Sequence, residues 1–91
     1  MTPTVETIDQ IPDEVLIYII RHPNEFSWKY FAVQVIIARL KLKLTMYNDD
    51  NSILPGCCDE LRKLLKKSIS VPSVQEDLKR IVGLKNKINQ S

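Results

Sequence analysis

Apolar residues recur at three- and four-residue intervals along most of this chain, the spacing of helices that bury one face. Val15, Leu16, Ile19 and Ile20 form the first such set, directly after Pro12-Asp13-Glu14. Proline suits a first helical turn because its missing N–H would have no partner there, and the two acids favour the positive end of the helix dipole. A helix is therefore predicted from Pro12, ending before Pro23, which disfavours helical geometry at His22. Residues 1–10 are polar, contain Pro3 and show no sustained period, so they read as a flexible, frayed lead-in.

A second and longer helix is predicted from about Ser27, acting as N-cap, to about Tyr47, where Asn48, Asp49, Asp50 and Asn51 supply turn chemistry. It carries two apolar stripes on nearly opposite sides, Phe31, Val35, Ala38 and Leu42 on one and Val33, Ile37, Leu40 and Leu44 on the other. A helix apolar on two sides is expected to be buried on two sides, which would make this element the spine of the fold. Residues 39–44 also alternate with period two and 33–37 are rich in β-branched residues, so a strand over 33–44 stands as an alternative.

Leu54-Pro55-Gly56 opens a third helix with Cys58, Leu61, Leu64 and Leu65 on one face, and Arg62, Lys63, Lys66 and Lys67 complement its C-terminal end. The fourth carries a capping-box signature, Ser73 with Glu76 three residues on, ahead of the stripe Val74, Leu78, Ile81 and Ile88. Four helices with short connections predict an all-α fold, an antiparallel four-helix bundle formed by residues 1–91 as a single helical domain.

Charge adds a gradient to this outline. The formal net charge of +2 is too small to announce a nucleic-acid binder. Residues 1–27 hold only Arg21 against Glu6, Asp9, Asp13, Glu14 and Glu25, whereas residues 28–45 hold Lys29, Arg39, Lys41 and Lys43 and no acid. The opening is polar and acidic, without the basic start and apolar core of a signal peptide, and the longest apolar run, Val15 to Ile20, is far below the ~20 residues of a membrane span. A reducing cytoplasm is the expected location, because the adjacent Cys57 and Cys58 make no disulfide framework.

Chemistry is sparse. His22 is the single histidine, and acid–base work would require an orienting group, for which Glu25 qualifies by proximity alone. One His and two neighbouring Cys cannot provide the spaced ligand pairs of a zinc site, and two glycines cannot build a phosphate loop, so no metal, no cofactor and no enzymatic activity are expected. Cys57 and Cys58 read either as apolar filler or as thiols activated by a helix N-terminus. In the cluster Phe26, Trp28, Tyr30, Phe31, core packing is expected for Phe31, while Trp28 is either core or a half-exposed anchor for a partner. Residues 61–84 have the outline of a helix-turn-helix, although Glu76 and Asp77 at the front of its second helix would repel a DNA backbone.

The second half, with Pro55 opening a helix, Leu61 and Leu65, the Lys66-Lys67 end, and then Ser70-Val71, Gln75, Leu78-Lys79, Ile81 and Leu84, resembles the immunity proteins of pediocin-like bacteriocins, the enterocin A immunity family. The resemblance covers roughly residues 53–88. It implies a small cytoplasmic antiparallel four-helix bundle, peripheral to the membrane, that protects a bacteriocin producer. Protection would come from engaging the bacteriocin-bound membrane sugar transporter from inside the cell. It also implies partner-facing residues on the last helix, here Lys79, Arg80, Lys85, Lys87 and Asn89. A helix-turn-helix DNA-binding regulator and a dimerising helical adaptor, pairing through the second apolar stripe, are the alternative functions; the oligomeric state is open.

Overall fold

The computed structural model describes residues 3–47 and 53–90, with side chains placed as far as Leu84. Among these residues every regular element is helical and there is no strand. The elements are α1 (Val5–Asp9), α2 (Asp13–Arg21), a 3-10 turn (Pro23–Glu25), α3 (Phe31–Met46), α4 (Leu54–Lys67) and α5 (Pro72–Gln90). Residues 33–44 are thus helix, and the strand alternative is excluded. The turn expected at Asn48–Asn51 lies outside the described residues.

The supposed lead-in is the first correction. Val5–Asp9 is a helical turn closed by a capping box in which the Thr7 N–H donates to Thr4 Oγ1 (3.3 Å) and the Thr4 N–H donates to Thr7 Oγ1 (3.1 Å). So short a helix is not stable on its own and depends on what it touches. Ile8 is fully buried, and Asp9 makes an ion pair with Lys66 of α4. Arg62, one turn earlier on α4, donates to the Ile11 carbonyl and pairs with Asp13 at 2.7 Å. Two cations of α4 therefore clasp α1 and the start of α2.

The spine is α2, not α3. Val15, Leu16, Ile19 and Ile20 are all inaccessible to solvent, and α2 packs on α3, α4 and α5. Around it gather Val33, Ile37, Leu40 and Leu44 from α3, Cys57, Cys58, Leu61 and Leu65 from α4, and Val74, Leu78 and Ile81 from α5. Ile88, predicted on the same stripe, lies outside the described side chains.

Two predicted helix starts also shift. α3 begins at Phe31, with Tyr30 in the capping position, because Trp28 has φ 39°, outside the helical region, where the Asp77 carboxylate accepts from the N–H groups of Ser27 and Trp28 at 3.3 and 3.2 Å. Ser27 therefore lies outside the helix instead of capping it. α5 opens at Pro72, the Val71 carbonyl accepting from the Gln75 N–H at 3.0 Å, so Ser73 sits inside the first turn and not at the cap. Proline fixes the start there because it needs no hydrogen-bond partner of its own.

Candidate docking surface

One stripe of α3 closes the core and the other faces outward. Phe31 is 73% exposed, Leu42 61% and Val35 40%, with Ala38 exposed between them. The expectation that both stripes, and Phe31 with them, would be buried is therefore wrong. Two apolar faces nearly opposite each other cannot both meet a single hub, and α2 takes the Val33–Leu44 face. At 100° per residue, Phe31, Val35, Ala38 and Leu42 fall within about 60° of arc, a narrow ridge along the helix. Met46, 66% exposed, prolongs it, and the half-exposed Tyr30 and Tyr47 stand at the two helix ends.

Charge borders this ridge on both sides. Arg39 flanks it on one edge, with Lys43 beyond, and Lys41 on the other; all three are exposed. Arg21 of α2 joins Lys41 along a shallow cleft, while Lys63 and Lys67 of α4 line another with Ile36 and Glu60. The Glu25 carboxylate, close to Arg21 and Lys41, accepts the Tyr18 hydroxyl, both oxygens lying 2.7 Å away. The ridge is apolar along its crest and positive along its margins.

At its N-terminal half the ridge borders a cleft of about 240 Å³ walled by Gln34, Ile37 and Ala38 of α3 and by Asn24, Phe26 and Trp28 opposite. The far wall is built by an unusual backbone. Trp28 has φ 39°, a region costly for a bulky side chain, and is only 3% exposed. Its ring packs against Phe26 with centroids 5.4 Å apart, and Asp77 of α5, itself 2% exposed, holds the backbone from behind. Burial raises the Asp77 carboxyl above its ordinary pKa, against the lowering pull of the Ser27 and Trp28 N–H groups and of nearby Arg80. The Trp28 Nε1 is sealed from solvent without an acceptor among the described residues and gives a ligand no handle.

The other sequence candidates are scattered. His22 is exposed and lies tilted against Tyr18 with ring centroids 4.5 Å apart, while Glu25, its proposed orienting group, is bonded to the Tyr18 hydroxyl instead. That bond is the main reason the Tyr18 pKa is raised. Cys57 and Cys58 are fully buried. Burial pushes the Cys58 thiol up to about 11 and raises Cys57 as well, the reverse of activation. In the folded protein both are expected to react with a thiol reagent at least about 100-fold more slowly than in urea, and reaction at the unfolded rate would show either one to be accessible. Lys79 and Arg80 are exposed on α5, Lys79 beside Pro3, Thr7 and Val82, and neither borders the ridge. Lys85, Lys87 and Asn89 lie outside the described side chains.

No family model matches this chain, and neither the curated proteins nor the solved structures contain a match to it. The surface must therefore be interpreted from its own chemistry. Sequence reasoning found both stripes but not which one faces outward, because Arg39, Lys41 and Lys43 lie between the two and flank both. Nor did it find the Trp28–Asp77 contact, which joins residues 49 apart.

Proposed function

We propose that this chain is a non-enzymatic helical binding protein, and specifically a bacteriocin immunity protein that protects its producer cell. In this reading α2, α3, α4 and α5 are the four main helices of an antiparallel bundle, with α1 as a clasp. It acts in the cytoplasm, peripheral to the membrane, on a bacteriocin-bound transporter complex. The observation that supports a docking role is the α3 ridge, since a helix that already closes a core has no folding reason to carry Phe31, Val35 and Leu42 on its outer face. Lys79 and Arg80, exposed on α5, are the partner-facing residues implied by the family resemblance, and they form a second surface. None of the helices among the described residues is long and apolar enough to cross a membrane, so membrane contact in this reading goes through a partner.

Expression in a bacteriocin-sensitive strain is expected to raise tolerance to one pediocin-like peptide by at least about tenfold, with Lys79→Glu and Arg80→Glu reducing it. Unchanged sensitivity to every peptide of a panel would remove the immunity reading. The ridge also favours a second reading, a helical adaptor that pairs through α3. The helix-turn-helix reading draws less support, because Arg62 and Lys66 of α4 are engaged with α1 and α2, and the front of α5 is packed by Asp77 against Ser27 and Trp28 with the acidic Glu76 left exposed.

A further inference from the structure

We infer that the outer ridge of α3 is the seat of an acidic amphipathic helix from a partner protein, packed along it as in a short coiled coil. The inference rests on the binding-protein reading above and names the partner's chemistry. Phe31, Val35, Ala38 and Leu42 follow one another at intervals of four, three and four, which is the d-a-d-a order of a heptad seam. In that register Gln34 and Lys41 occupy the g positions, while Ala32 and Arg39 occupy e.

Three features select this occupant. The first is width: a helix lying in a bilayer interface or against a broad core presents an apolar face of roughly 100° or more, and this ridge is about 60° wide with a small residue at its centre. The second is shape, because Ala38 and Gln34 form one wall of the cleft of about 240 Å³ with Trp28 opposite. A large side chain of a facing helix fits there as a knob. The third is charge. Side by side with the α3 of a second copy, Arg39 and Lys41 would meet Gln34, Met46 or further cations, with no acid between residues 28 and 45 to answer them and only Glu25, already bonded to Tyr18, near Lys41. Glutamates at the e and g positions of a partner helix satisfy both margins.

The test uses two labelled helical peptides of about three heptads with Leu at a and d, one carrying Glu and the other Lys at e and g. The full chain is expected to bind the Glu peptide with a Kd on the order of 10 µM, weakening as salt rises, and to leave the Lys peptide free. Ala38→Glu and Leu42→Glu are each expected to raise that Kd by more than about tenfold, the weight of one central contact residue, while the thermal melt of each variant matches that of the parent. No binding of the Glu peptide at about 200 µM, or equal binding of both peptides, overturns the proposal. So does flotation with anionic vesicles in the absence of peptide binding, which would assign the face to lipid. A dimer lost on Leu42→Glu would assign it to self-association. The tolerance assay above reads protection whatever surface produces it, so the two readings fail separately.

Discussion

Replacing Asp77 with alanine is expected to lower the unfolding free energy by about 3 kcal/mol, against the ~5 to 10 kcal/mol available to a domain of this size. Its carboxylate accepts from both Ser27 and Trp28, and without it the buried N–H of Trp28 and the part-buried N–H of Ser27 lose their partner. The positive φ of Trp28 would then have nothing holding it, and the chain from Phe26 to Tyr30 would relax away from α5. Urea denaturation measures the loss, which corresponds to a melting temperature lower by about 15 °C. The chain has one tryptophan, so its emission should shift to the red below the main transition in the variant. A loss under about 1 kcal/mol would mean that the loop is held by the Phe26 and Trp28 rings alone.

A pH series separates the charge of Asp77 from its hydrogen bonds. Burial raises the folded pKa above the ordinary 3.8, so between those two values the folded chain binds more protons than the unfolded one. The contribution of Asp77 is then fullest below the unfolded value and declines as pH rises through the folded one. The stability of the parent relative to Asp77→Asn should therefore fall as pH is raised across that window and be flat above it. A difference that grows with pH would place the N–H groups and Arg80 ahead of burial.

The helices of this chain were legible in its pattern where they are long and one-sided. Val15, Leu16, Ile19 and Ile20 mark α2, and Leu61 and Leu65 mark α4, because each set forms a single face turned to the core and the opposite side is wet. Legibility failed where a local signal competes with a distant partner. Ser27 has the chemistry of an N-cap, but the next residue, Trp28, is held at φ 39° with its N–H on a carboxylate 49 residues away, so no helix starts there. Ser73 and Glu76 have capping-box spacing, but the helix starts at Pro72, two residues sooner than a Ser73 cap would place it. α1 is too short to show a period, and its capping box is written Thr-x-x-Thr, without the Glu or Gln by which such boxes are found. For the candidate surface, periodicity supplies two equivalent stripes on α3, and no local rule says which one α2 covers. That choice is tertiary.

Leu40 and Leu42 test the choice directly, since they are the same residue type, two positions apart, in the interior of one helix. Leu40 is 2% exposed and belongs to the core formed with α2 and α4, whereas Leu42 is 61% exposed on the ridge. Leu40→Ala should cost about 3 kcal/mol, combining lost burial with the void left among its neighbours, and should lower the melting temperature by roughly 15 °C. Leu42→Ala should stay within about 0.5 kcal/mol of the parent, since alanine is at least as good a helix former and little contact is lost. Equal losses at both sites would mean that α3 is enclosed on two sides in solution and that the ridge is already occupied. The expected asymmetry has a functional corollary. A leucine whose removal costs the free protein nothing, yet weakens docking of an acidic helix, is retained for a contact that the folded chain does not make by itself.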